Sequence, residues 1–167
     1  MADALKLRAR DAEDLAMVAA LLQDALVALA DIKYLGRERR FALMVNRFRW
    51  ETLPGDSRRA GPPPSAPGDA SFADQAAAGF ERVHSALVFD RVRSVKHRGL
   101  LSGTKAGVLV LLNIHLDGSY VFISFAGGAE IRLEVERFSC HLEDLGEPWP
   151  TVWRPEHSQS ETSGGRA

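Results

Sequence analysis

The sequence predicts an α+β fold, a mainly antiparallel sheet of about seven strands with one N-terminal helix packed on it. Three observations carry that prediction. A helix-spaced apolar stripe occurs once, between Asp11 and Asp24. Beyond Asp24 the apolar residues keep a two-residue rhythm. Short Gly-containing or polar reversals separate the rhythmic runs, as hairpins require.

The elements follow in order. Leu5, Leu7 and Ala9 alternate with Lys6, Arg8 and Arg10, which reads as a short half-buried strand. Asp11 is placed to cap a helix, with Glu13 and Asp14 in the first turn where the helix dipole favours negative charge. Leu15, Val18, Ala19 and Leu22 then recur at i, i+3, i+4 and i+7, widened by Met17 and Leu21. Leu26 to Leu35 suits a strand, and Gly36-Arg37-Glu38-Arg39 is a reversal of hairpin length. Phe41, Leu43 and Val45 start a run continuing to Phe48 and Trp50, apolar on both faces and so expected at the centre of the sheet.

Residues 54–79 carry Pro54, Pro62, Pro63, Pro64 and Pro67 among Gly, Ala, Ser and Asp. Lacking apolar periodicity, this stretch is expected to be a mobile loop within a single domain spanning residues 1–153. Val83 to Val95 reads as one long strand or a bulged pair, and Gly99 to Gly107 as a turn. Val108 to Leu116, Tyr120 to Phe125, and a strand starting at Ile131, Leu133 and Val135 and running toward Leu142 form the expected C-terminal β-meander. Asp117-Gly118 is expected to form a type I′ turn, and Gly127-Gly128 a second reversal. Pro148-Trp149-Pro150 suits an extended segment pinning Trp149 or Trp153 on the core, and residues 154–167 a disordered tail.

Composition narrows the function classes. The 167 residues are 46% hydrophobic and 26% charged with a formal net charge of -1, a globular balance that offers no overall field to nucleic acid or an anionic membrane. The longest apolar run, Leu15 to Leu22, is far short of the ~20 residues of a membrane helix. No secretory signal pattern is visible at Met1 to Arg8, so the cytoplasm is the expected location. Cys140 is the single cysteine, which excludes an intramolecular disulfide and a Cys cluster for zinc; a buried inert thiol is expected.

Catalytic and metal patterns are missing from the sequence. His84, His97, His115, His141 and His157 include no helical i, i+4 pair, and no serine sits in a G-x-S-x-G elbow. Gly127-Gly128 has neither the P-loop Lys-Ser/Thr nor a following helix. No catalytic residue, cofactor or metal is therefore expected. Two basic stretches stand out. Arg37, Arg39, Arg40, Arg47 and Arg49 crowd one hairpin with Phe48 and Trp50 interleaved, while Arg91, Arg93, Lys96, His97 and Arg98 form the second. Were the two to neighbour each other, Arg47, Arg49, Trp50, His97 and Arg98 would form a basic-aromatic patch for a phosphate-bearing ligand or single strand. The near-neutral total weighs against nucleic acid.

Asn46-Arg47-Phe48-Arg49-Trp50-Glu51, Phe125-Ala126-Gly127-Gly128 leading into Ile131 to Glu136, and Leu142-Glu143-Asp144-Leu145-Gly146 with Pro148-Trp149 occur in this order. Together with Leu5-Lys6-Leu7 and the first helix, they resemble an alphaproteobacterial family of unknown function, numbered twenty-nine forty-eight. The resemblance implies a bacterial cytoplasmic protein and supplies no activity, cofactor or catalytic residue. The leading expectation is a non-enzymatic accessory module contacting a protein partner. A small-anion binder or enzyme built on the basic-aromatic patch comes second, and a weak nucleic-acid binder third.

Overall fold

The computed structural model describes residues 4–52, 80–100 and 107–151. The expected loop at 54–79 and tail at 154–167, most of the Gly99–Gly107 turn, and Trp153 lie outside the described residues. In chain order the elements are β1 (Lys6–Ala9), α1 (Ala12–Leu22), β2 (Leu26–Leu35), β3 (Arg40–Phe48), β4 (Glu81–Phe89), β5 (Val92–Arg98), β6 (Val108–Asp117), β7 (Tyr120–Phe125), β8 (Glu130–Val135) and β9 (Cys140–Pro150). All strand pairings are antiparallel, in the order β1-β9-β4-β3-β2-β6-β7-β8-β5. The α+β class is as predicted.

Among the described residues nine strands stand where about seven were expected, because two long runs are each broken at a corner. The run from Val83 to Val95 divides at Asp90-Arg91, where Arg91 takes a left-handed backbone with φ 58°. The run from Ile131 toward Leu142 divides between Val135 and Cys140. After each corner the chain changes partner: β4 pairs with β3 and β9, whereas β5 pairs with β8. The buried alternation changes phase at both breaks, from Leu87 and Phe89 to Val92 and from Leu133 and Val135 to Cys140 and Leu142, a shift that a bulge within one continuous strand would also produce. The predicted meander holds for β6, β7 and β8, and β9 leaves it.

Asp11 caps α1, its side chain accepting from the Asp14 amide at 2.8 Å. The buried face of the helix is Leu15, Val18, Ala19 and Leu22, as the spacing predicts. The helix packs on β6, β1 and β3. One apolar core joins that face to Phe41, Leu43 and Val45 of β3, to Val121, Ile123 and Phe125 of β7, and to Ile131, Leu133 and Val135 of β8. For one core to hold all of these, the sheet must curl. A register shift in β2 between Val27 and Ile32 marks the bend. Beyond it the sheet returns on itself: the Tyr34 hydroxyl donates to the Val92 and Arg93 carbonyls at 3.3 and 3.1 Å, and the Val92 amide donates to the Arg39 carbonyl at 2.8 Å.

The β6-β7 turn departs from expectation in detail. Its two loop residues are Gly118 and Ser119, closed by the pair Asp117 and Tyr120. Gly118 has φ 58°, and Ser119 is not among the residues with positive φ. A positive φ at the first loop position alone belongs to type II′, not type I′. The hairpin forms where it was expected, one residue later and with the other turn chemistry.

Candidate functional site

Both corners that break the long strands open onto one cleft. The Asp90 amide donates to the Ser139 carbonyl at 3.1 Å and the Glu136 amide to the Arg91 carbonyl at 3.0 Å, so the two corners hold each other. The tip of the β2-β3 hairpin lies beside them through the bond from Val92 to Arg39. The end of β1 completes the ring, with Arg8 opposite His141 and Ala9 opposite Cys140 on β9. The space enclosed is about 670 Å³ and open to solvent.

Arginine dominates its lining. Arg8 comes from β1 and Arg10 from just beyond its end, Arg39 and Arg40 from the hairpin tip, Arg91 from the first corner and Arg137 from the second. Against these six guanidinium groups stand two carboxylates, Glu38 and Asp90. Asp90 is engaged by Arg40 at 2.9 Å and lies 3.7 Å from His141 Nε2, while Glu38 lies 3.8 Å from Arg40. Arg39 reaches out of the cleft to Glu136 at 3.0 Å. Arg8, Arg10, Arg91 and Arg137 make no ion pair among the described residues, and all four are exposed.

Two of these arginines hold costly backbone. Arg39 and Arg91 have φ 51° and 58°, a region that costs an L side chain roughly 1–2 kcal/mol relative to glycine. Two long cations are kept at turn positions where Gly or Asn would be easier. Strained backbone of this kind clusters at binding and catalytic sites.

A buried network stands at the opposite end of β3. Arg47 occupies an inward position of β3 in line with Phe41, Leu43 and Val45, and it is fully buried. Its Nε donates to Asp144 Oδ1 at 2.8 Å and its Nη2 to Asp144 Oδ2 at 2.7 Å. Nη1 and Nη2 also donate to Glu51 at 3.0 and 2.7 Å. Ser85 Oγ donates to Asp144 Oδ1 at 2.6 Å and the Leu5 amide to Oδ2 at 3.3 Å. Burial would raise the Asp144 carboxyl, but hydrogen bonds from Arg47 and Ser85 and the Arg47 charge outweigh it and hold the group below its usual range. Glu51 follows the same balance: burial acts upward and Arg47 brings it down. Arg49 donates to Glu81 close by, and the Trp50 ring packs 4.6 Å from that of Phe48.

The five residues singled out from sequence are thus divided. Arg47, Arg49 and Trp50 belong to this internal network at the far end of β3 from the hairpin tip. His97 and Arg98 lie at the far end of β5, five strands away in sheet order. They line a smaller cleft of about 190 Å³ with Lys96, Phe122, Glu130 and Arg132. The two basic stretches do become neighbours, but through Arg39, Arg40 and Arg91. Sequence reasoning missed Arg8, Arg10 and Arg137 as members of the site. The signal was present in the charged corner Glu136-Arg137, which interrupts an otherwise apolar rhythm as Asp90-Arg91 does.

Other chemistry is sparse. No cluster of three or more His, Cys, Asp or Glu stands at metal-holding distance among the described residues. Ser139, His141 and Asp90 share the cleft, yet no hydrogen bond links Ser139 to His141 among the described residues, so they do not form a nucleophilic relay. Cys140 is buried, and burial followed by the Asp90 charge raises its thiol well above the ordinary range. No described helix is long and apolar enough to cross a membrane.

A family model described as "Protein of unknown function (DUF2948)" matches residues 5–157, in agreement with the resemblance carried by residues 46–51, 125–136 and 142–149. No curated protein and no solved structure matches the chain.

Proposed function

This chain belongs to the DUF2948 family of proteins of unknown function, and from that premise we propose that it is a binding module for an anionic group, phosphate or carboxylate, held in the arginine cleft. The observation that carries the reading is the convergence of six arginines from four separate chain segments on one open space. A planar guanidinium presents paired donors that match carboxylate and phosphate oxygens. Four guanidinium groups without an ion pair among the described residues, lining one open space, repel one another, and a bound anion relieves that repulsion. Of the readings open from sequence, this favours the anion binder, and a protein partner would enter by presenting the same group.

The test is denaturant unfolding of the full chain in rising phosphate or pyrophosphate, beside an Arg91→Gln/Arg137→Gln double variant. A ligand that binds only the folded state stabilises it by RT ln(1 + [L]/Kd). Phosphate also stabilises proteins generally by exclusion from their surface, so the informative quantity is the difference between the two proteins. Wild type should gain stability with concentration while the variant gains only the shared part. Equal gains in both would refute the reading.

A further inference from the structure

β5 leaves the arginine cleft and carries further positive charge along one edge of the sheet. Arg91 precedes it, Arg93, Lys96 and Arg98 lie exposed along its length, and the exposed His97 stands between the last two. Arg93 lies 3.9 Å from Glu136 and Arg98 lies 3.3 Å from Glu130. At the far end lies the smaller cleft, where Lys96, Arg98 and Arg132 face the single carboxylate of Glu130.

Phe122, which lines that cleft, belongs to an aromatic row on the sheet. Strand registers set His115, Phe122, Arg132 and Lys96 side by side in one row across β6, β7, β8 and β5. His115 and Phe122 are already stacked, with centroids 4.9 Å apart and planes 10° from parallel. Tyr120 lies 6.5 Å from Phe122, and the Arg132 guanidinium lies 5.2 Å from the Tyr120 ring. Three rings on the outer side of a sheet, with cations among them, form a stacking surface.

We propose that single-stranded nucleic acid binds along β5, its phosphates on the arginine cleft and the β5 cations, with one base stacked in the Phe122 cleft. The proposal rests on the anion-binding reading for one end of the track. An opening of about 190 Å³ suits one ring of a strand. A lone stacked base supplies only a small part of the affinity, so the rest must come from the charged track. An acidic polypeptide would use the arginines but not the aromatic row. The formal net charge of -1, which gives no overall field toward nucleic acid, leaves attraction to the local excess on β5, because charges beyond ~8 Å are screened at physiological ionic strength.

The experiment is fluorescence anisotropy of a labelled single strand of about ten nucleotides, near the site size of sheet-based binders, titrated with the full chain at low salt. Wild type should bind with an affinity that falls steeply as salt rises. Phe122→Ala should weaken binding about tenfold, Phe122→Tyr should restore it, and pyrophosphate stabilisation should be unchanged in both. If Phe122→Ala proves unfolded by circular dichroism, the exposed Lys96→Glu takes its place with the same expected loss. Arg91→Gln/Arg137→Gln should weaken both ligands. Pyrophosphate without effect but the strand bound through Phe122 would sink the cleft reading and keep the platform. No binding of the strand, binding indifferent to Phe122 and Lys96, equal binding of duplex, or equal competition by polyglutamate would each overturn the proposal.

Discussion

Arg47 and Asp144, 97 residues apart in sequence, meet in a two-pronged pair of 2.8 and 2.7 Å with the guanidinium wholly removed from solvent. The pair ties β3 to β9, and β4 lies between them carrying Ser85, which donates to the same carboxylate. Removing one member of a buried pair strands the other charge, which costs about 3–5 kcal/mol. Arg47→Met and Asp144→Leu should each lose stability on that scale in urea unfolding. The double variant should lose clearly less than the two single losses combined, because no unpaired buried charge remains and Glu51 is partly solvated. Additive losses would mean that the two residues act independently.

The same network fixes a response to acid. Asp144 and Glu51 are both held below their ordinary values of 3.8 and 4.5 by Arg47, against the upward pull of burial. A carboxyl depressed in the folded state gives stability that is present above the unfolded value and disappears as pH falls through the folded one. Wild-type stability should therefore hold from pH 7 to about 5 and decline steeply below 4. Asp144→Asn should be weaker than wild type at pH 7 and approach it as pH falls from 3.8 through the lowered folded value of Asp144, because it carries no proton to take up. Parallel curves for the two proteins, measured by urea midpoint against pH, would remove the carboxylate from the account.

Much of this fold was legible because each element carries its own period. The helix was read from Leu15, Val18, Ala19 and Leu22, and β2 and β3 from the reversal at Gly36 to Arg39, since local spacing and turn residues dictate both. The corners at Asp90-Arg91 and Glu136 to Ser139 were not legible. The apolar rhythm changes phase at each, as a bulge within one strand would also make it do, and only long-range pairing of β5 with β8 and of β9 with β4 reveals that the chain has turned. Missing the corners meant missing the cleft they build. Arg47 misled for a related reason: in sequence it is a polar residue among aromatics, and only a partner 97 residues away makes it interior.

Cys140 should be chemically silent in the native protein. It is fully buried, and desolvation with the nearby Asp90 charge keeps its thiol protonated well beyond neutral pH. The thiolate is the reactive species, so labelling by iodoacetamide at pH 8 should require opening of the β1-β9-β4 region. Without denaturant the modified fraction should grow only slowly, and in urea it should follow the unfolding curve. Fast stoichiometric labelling of folded protein would show that this part of the sheet opens readily.

Arg91 should reveal a conflict between stability and binding. Its φ of 58° favours glycine, and its side chain makes no ion pair among the described residues while standing among like charges in the cleft. Arg91→Gly relieves the left-handed strain, worth roughly 1–2 kcal/mol, and removes one repelling cation. Glycine's greater freedom in the unfolded chain returns about 0.5–1 kcal/mol of that gain. The net expectation is a protein as stable as wild type or up to about 1.5 kcal/mol more so, by urea unfolding in low-phosphate buffer. If the arginine is retained for an anion, the same variant should lose most of the stabilisation that pyrophosphate gives to wild type. Arg91→Ala separates the two effects, because it removes the cation while leaving the strain, and so should bind as poorly as the glycine variant without sharing its stability. A glycine variant that is less stable than wild type, yet responds fully to pyrophosphate, would mean that Arg91 serves the corner and not a ligand.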